Sequence, residues 1–343
     1  MIQNVQILAQ NAAYWQDHEW KKLLSNAIES PVELLKLLDL APQQLPNAID
    51  IQQKFPQKVP LPFIARMEKA NPKDPLLRQV LPLAQENQAT EGFSANPLEE
   101  KPQSIPGLLH KYQSRVLFML ATHCAINCRY CFRREFPYAE NRASREDWRR
   151  LKDYIATDPK INEVIISGGD PLAVSDKYLF DFISFIESIP QIKRLRIHTR
   201  LPVVIPQRIT QSLVSRFEQS PLQLVMVVHI NHANEIDDNV KNAMTTLKKA
   251  GVHLLNQSVL LRGVNDSAKT LTELSERLFD AQIQPYYLHL LDKVSGSSHF
   301  DVSQSEALQL LAQLQKQVAG FLVPKLVREE AGKPNKTLIN LTS

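Results

Sequence analysis

Val116-Leu117-Phe118-Met119-Leu120-Ala121-Thr122-His123-Cys124-Ala125-Ile126-Asn127-Cys128-Arg129-Tyr130-Cys131-Phe132-Arg133-Arg134 is an apolar run of strand length that empties into a cysteine cluster. These are the 3 cysteines of the whole chain, spaced C-x3-C-x2-C. Disulfides pair thiols in twos, so an odd cluster this tight reads as a metal site. Thiolates suit zinc or iron–sulfur clusters, and a closed site of either kind takes four protein ligands. Spacing alone leaves three readings open. His123 or another histidine could complete a structural zinc site. The chain could be a ferredoxin-like electron carrier. Or three thiolates hold a 4Fe-4S cluster and leave one iron open to bind and reduce a ligand.

Outward from this stretch a regular pattern extends. Apolar runs at Glu163–Ser167, Arg194–His198, Leu222–Val228, Val252–Asn256, Pro285–Leu290 and Leu322–Val327 alternate with amphipathic helical stretches near 144–157, 176–188, 207–218, 237–250, 268–281 and 303–319. Ser144-x-x-Asp147 and Ser303-x-x-Glu306 look like capping boxes that start two of those helices. Strand–helix alternation means parallel strands joined by right-handed crossovers. Six units predict an α/β fold, a partial parallel (β/α)6 barrel, over residues 105–330. Residues 1–104 are rich in Pro, Gln and Asn. Their short helical patterns, at Pro31–Leu38 and Phe63–Met67, read as an N-terminal helical and extended cap, a packing appendage. Residues 331–343 form a tail.

In such barrels the chemistry gathers at the C-terminal strand ends. The cysteines follow the first strand and Gly168-Gly169-Asp170-Pro171 the second. The third ends in His198-Thr199-Arg200 and the fourth in His229-Ile230-Asn231-His232. The fifth ends in Asn256-Gln257, with Asn265-Asp266 beyond, and the sixth in His289, followed by Asp292 and Lys293. Stability alone does not require so many polar groups on one rim, so the rim reads as an active site. Net charge is only +4, which argues for neither a nucleic-acid nor a membrane partner. No apolar run approaches the ~18 residues of a membrane span. Met1–Gln10 lacks the basic start and apolar core of a signal peptide. A cytoplasmic chain with reduced thiols is expected.

With an aromatic residue before its last cysteine, the loop resembles the cluster loop of radical S-adenosylmethionine enzymes. Ser167-Gly168-Gly169-Asp170-Pro171-Leu172 resembles that family's glycine motif, where missing side chains allow close backbone approach. Pro106–Leu117, Cys131–Arg134, Asn256–Asp266 and Val323-Pro324 are similar to lysine 2,3-aminomutases, within a likeness covering about residues 65–340. Met67–Pro72 and His289–Val294 are similar to the short bacterial type that serves elongation factor P.

The resemblance implies a radical S-adenosylmethionine partial barrel and an isomerase that moves the amino group of α-lysine from Cα to Cβ. It implies a 4Fe-4S cluster on Cys124, Cys128 and Cys131. S-adenosylmethionine would sit on the open iron, near Gly168, Gly169, Asp170, His198 and Arg200. Pyridoxal 5′-phosphate would be held by Lys336, with Tyr112 and Arg115 at its ring and phosphate. Lys333 is the rival lysine, and the family's glycine run before this lysine is absent. Arg133 is implied to pair the lysine carboxylate through its fork. Asp266 and Glu329 are implied to receive the far ammonium, although the free-lysine members carry Asp where Glu329 stands. The implied partners are lysine, an electron donor such as a flavodoxin-like protein, and, functionally, the elongation factor P modification system. The alternatives are a catabolic lysine 2,3-aminomutase, an aminomutase for another amino acid, or a zinc-stapled binding protein without chemistry. Two carboxylates for an ammonium favour lysine.

Overall fold

A computed structural model describes residues 17–100, 104–138, 141 and 143–340. One sheet runs in chain order through β1 (Leu108–Tyr112), β2 (Arg115–Ala121), β3 (Glu163–Gly168), β4 (Arg194–Thr199), β5 (Gln223–Val228), β6 (His253–Val259), β7 (Gln284–His289), β8 (Lys325–Arg328) and β9 (Thr337–Leu338). Strands β2 to β8 are parallel, and β1 and β9 pair antiparallel at the two edges. The edges do not pair with each other, so the barrel is partial. The crossovers are α1 (Arg145–Ala156), α2 (Asp176–Glu187), α3 (Gln211–Glu218), α4 (Asp238–Lys249), α5 (Ala268–Asp280) and α6 (Gln304–Gln317).

Period-two patterning decides which face does what. In β4, Leu195, Ile197 and Thr199 are buried, while Arg194, Arg196 and His198 alternate with them on the other, less covered face. In β2, Val116, Phe118 and Leu120 enter the main core. Phe118 stacks on Phe182 of α2 at 5.4 Å, and Trp148 of α1 meets Phe182 edge-on at 5.1 Å. Both expected capping boxes form, Ser144 with Asp147 and Ser303 with Glu306.

Four details depart from the sequence reading. β1 adds an antiparallel hairpin ahead of β2. The stretch from 207 is interrupted, with a 3-10 turn at Pro206–Arg208 and α3 starting only after Thr210, whose hydroxyl accepts from the Leu213 N–H. The last parallel strand starts at Lys325 because Pro324 has no N–H for the ladder and Gly320–Leu322 turns as 3-10. Finally, β9 folds the tail back on β8, with Arg328 opposite Thr337 and Val327 opposite Leu338.

The N-terminal residues are more than an appendage. Trp20, Leu34, Leu35, Phe63, Leu76 and Leu77 lie in the same continuous core as Val116, Leu201 and Val203 of the barrel. Burying six such side chains contributes roughly 1.5–3 kcal/mol each before ordering costs. Met1–Gln10, read above for a signal peptide, lies outside the described residues, as do residues 341–343 of the tail. Among the described residues no helix is long and apolar enough to cross a membrane.

Candidate active site

The cysteine loop is held from behind by the N-terminal residues. The Asn127 N–H donates to the Lys58 carbonyl at 3.1 Å, and the Arg129 N–H donates to the Gln79 carbonyl at 2.9 Å. Beneath the loop, the Glu86 carboxylate accepts from Arg129 Nε (2.9 Å), Arg129 Nη2 (2.5 Å) and Arg134 Nη2 (2.9 Å). All three side chains are buried. The thiols of Cys124, Cys128 and Cys131 are free and half-buried. Burial, then the neighbouring Cys131 and Asp170, push the Cys124 thiol well up, and burial with Cys128 pushes Cys131 to about 11. Such thiols ionise when a metal cation replaces the proton, which fits ligands waiting for iron. Among the described residues no three His, Cys, Asp or Glu side chains converge on a single ion. A cluster taking one thiolate per iron makes no such demand.

The glycine turn after β3 packs on the entry to this loop. Gly168 has φ +116°, and a Cβ there would overlap the Ala121 carbonyl oxygen. A Cβ on Gly169 would overlap the His123 carbonyl and lie 2.6 Å from the His123 nitrogen. The space a side chain would fill is therefore taken by the chain's own backbone. Because backbone cannot swing aside, Gly169→Ala is expected to strain the loop by roughly 1–3 kcal/mol. It should bind much less iron and sulfide on reconstitution; wild-type iron content in that variant would contradict the packing argument.

Asp170, expected at the cofactor, has its carboxylate engaged elsewhere. Oδ1 accepts from Thr199 Oγ1 (2.6 Å) and the Leu172 N–H (3.0 Å), and Oδ2 from the N–H groups of Arg200 (2.7 Å) and Leu201 (2.9 Å). It fastens the end of β3 to the end of β4 and so positions Arg200. Arg200 Nη1 donates to Cys128 Sγ at 2.7 Å, while Nη2 donates to Gln79 Oε1 (2.7 Å) and Glu235 Oε2 (2.9 Å).

Farther into the barrel are three histidines and the tail lysine. Lys336 Nζ lies 5.9 Å from the centre of the Tyr287 ring and pairs with Glu329. Lys111 of β1 pairs with the same carboxylate, so an ion triad bridges the seam between the sheet edges. Burial works against the Glu329 charge, yet Lys336 and Lys111 bring its pKa below the ordinary value. Lys333, the rival lysine, is exposed and outside this group. Burial, then His229 and nearby cationic side chains, hold His198 well below the usual imidazole range; burial, Lys336 and His229 do the same to His289. His229 falls to about 3 through burial, Arg200 and Lys336. All three are neutral rings, and His198 Nε2 and His289 Nε2 are buried without a partner. The Arg115 guanidinium lies 3.6 Å over the Tyr112 ring, with its Nε also buried and unpartnered. A cationic donor with spare capacity beside an aromatic ring suits a phosphate-bearing ring cofactor.

Two of the residues expected at the substrate have protein partners of their own. Asp266 is occupied in its own loop, accepting from the Gly263 N–H at 2.9 Å and lying 3.5 Å from Arg262, which pairs with Glu306. The carboxylate that shares the interior with Lys336 and Glu329 is Asp292. Burial pushes it up to about 7; Lys336 opposes that shift, and Glu329 and Glu100 add to it. The signal for Asp292 was its place just past the end of β7, on the rim where strand ends meet. Arg133 is also answered by a residue no pattern flagged. Its Nε and Nη2 donate to the two oxygens of Glu100 at 2.9 and 2.7 Å, fork to carboxylate.

Residues 119–274 match the Radical SAM superfamily. The chain is 52% identical over 324 residues to the L-lysine 2,3-aminomutase of Escherichia coli, covering 94% of this chain and 95% of that protein. It is 52% identical over 335 residues to that of Haemophilus influenzae, covering 97% and 99%. Against that of Clostridium subterminale it is 34% identical over 328 residues, covering 95% and 78%. Identity of this extent spans nearly the whole chain, and the chain belongs to the lysine 2,3-aminomutase family of radical S-adenosylmethionine isomerases.

Proposed function

We propose that this chain converts α-lysine to β-lysine, with a 4Fe-4S cluster on Cys124, Cys128 and Cys131, S-adenosylmethionine beside Arg200, and pyridoxal phosphate on Lys336 near Tyr112 and Arg115. Those groups supply the hydrogen-abstracting radical and a π system over which an amino group can migrate. The chain's own residues bind, orient and exclude water.

One observation carries the reading. The interior already holds both ends of a lysine, each supplied by the protein. Glu100 fills the Arg133 fork as an α-carboxylate would, and the Lys336 ammonium sits against Glu329 and near Asp292 as a side-chain ammonium would. With Lys336 committed to the cofactor, the ammonium of lysine takes its place and the carboxylate of lysine displaces Glu100. An acidic or apolar amino acid would leave Asp292 without a cation and Glu329 with Lys111 alone, a poorer balance of buried charge than lysine gives. The neutral histidines add no further positive charge, so Lys111, which shares Glu329, is the cation that ammonium meets there.

The direct test is reconstituted protein with S-adenosylmethionine, a low-potential reductant and lysine, without oxygen, with β-lysine read by chromatography. No product from protein carrying both cluster and pyridoxal phosphate overturns the assignment. Asp292 adds a pH dependence. Its carboxyl titrates at about 7, so the ammonium gains this partner as pH rises through that value and loses it as pH falls. The KM for lysine should therefore climb on acidification through neutrality. In Asp292→Asn it should be raised roughly 30-fold or more and lose that slope. A wild-type slope in the variant would remove Asp292 from the substrate site.

The reading extends to an electron donor of flavodoxin type, a cytoplasmic setting that keeps the thiols reduced, and use of the product on elongation factor P. The last is supported by the Met67–Pro72 and His289–Val294 likeness. The intact mass of elongation factor P from cells with and without the gene tests it, and an unchanged mass removes that role.

A further inference from the structure

We infer that Glu235, acting through Arg200, sets the reduction potential of the cluster on the cysteine loop. The inference rests on reading the three cysteines as its ligands. Arg200 is a buried guanidinium with a divided allegiance. Nη1 donates to Cys128 Sγ, and Nη2 donates to Glu235 Oε2 and Gln79 Oε1. Glu235 has no exposed side-chain surface. Its Oε1 accepts from the N–H groups of Asn231 (2.9 Å) and His232 (3.2 Å) and from Gln79 Nε2 (3.1 Å), which fixes the carboxylate in place. Tyr130 and Phe63 wall the guanidinium, with ring centres 5.8 and 5.3 Å away. Little water screens these charges.

The step concerned is the addition of one electron to the cluster from an external low-potential donor, with no proton transferred. That electron adds negative charge to a group already ligated by three thiolates. A cation that donates a hydrogen bond to a ligand sulfur favours the reduced state and raises the potential. A carboxylate paired to that cation cancels part of its charge and lowers the potential again. Glu235 touches neither cluster nor substrate, so it is a positioning and tuning residue, while Arg200 is the contact. Asp170 supports the arrangement by accepting the Arg200 N–H. The loop, the N-terminal residue Gln79 and the segment after β5 thus meet at one guanidinium.

The test is a redox titration of the anaerobically reconstituted holoenzyme without S-adenosylmethionine, following the electron paramagnetic resonance signal of the reduced cluster. Glu235→Gln keeps shape and acceptor oxygen but removes the charge. Its reduced-to-oxidised ratio at a fixed poise should rise at least tenfold, which is about 59 mV for one electron. Arg200→Met removes cation and hydrogen bond together, and its ratio should fall by a similar factor. A purely structural role would lower cluster content or move both variants the same way, and either pattern of potentials, or none moving, overturns the inference. If Glu235→Gln takes up no iron, Glu235→Asp decides: the shorter arm draws the charge back from Arg200, so its reduced-to-oxidised ratio must exceed wild type, and an unchanged or lower ratio refutes the inference. A wild-type chain that forms no cluster at all refutes the cysteine assignment, and this inference with it.

Discussion

Lys336→Ala is expected to lose bound pyridoxal phosphate, seen as loss of its visible absorbance, and to form β-lysine on the order of 10,000-fold more slowly or worse, the scale of deleting a covalent catalytic residue. The reasoning is positional. The antiparallel return of β9 onto β8 sets Lys336 beside Glu329, inside the barrel and over Tyr287, whereas Lys333 remains exposed on the turn. A lysine that must attach to a cofactor and later release it has to reach the interior and have a carboxylate ready to stabilise it when free. Lys336 has both. Cluster content should stay at the wild-type level, because the cysteine loop is built from other contacts. Lys333→Ala should retain cofactor and activity; the reverse result would move the attachment to Lys333.

Glu86→Ala is expected to cost roughly 3–5 kcal/mol of stability, the range for leaving a buried charge without its partner. Two guanidiniums depend on this carboxylate, Arg129 and Arg134, and both lie in the cysteine loop. Arg129 keeps a hydrogen bond to the Phe55 carbonyl at 2.8 Å, which does not neutralise it. Denaturant unfolding reads the loss, and iron uptake should drop with it. A change below about 1 kcal/mol would mean that water or rearrangement replaces Glu86, and that the N-terminal residues are not needed by the loop.

The barrel could be read from the chain because its signals are local. Alternation in Arg194–Thr199 shows which side faces the helices, and Ser144 with Asp147 marks a helix start within four residues. The cysteine spacing and the Gly168-Gly169 turn stand out in the sequence for the same reason. The pairs that organise the site are not local. Arg200 meets Gln79 across 121 positions, and Arg129 meets Glu86 across 43. No periodicity encodes such partners, so the N-terminal part read as packing although it forms the back of the cysteine loop. The surroundings of two rim carboxylates were not legible for a subtler reason. Asp266 and Asp292 both follow strand ends, and only the path of the chain shows that the first turns back to bond the Gly263 N–H while the second stays with Lys336. The four hydrogen bonds by which Asp170 fastens β3 to β4 were not legible either.

The junction at Cys128 also constrains how the protein matures. Its sulfur is met by Arg200, and Arg200 is held in turn by Glu235. During translation the cysteines leave the ribosome about a hundred residues before Glu235, on the order of 5–20 s earlier at ordinary elongation rates. For that interval the thiols and the N-terminal residues behind them are made, but the carboxylate that holds Arg200 is not. A loop met in that interval has its N-terminal backing but lacks the Arg200–Glu235 pair at Cys128.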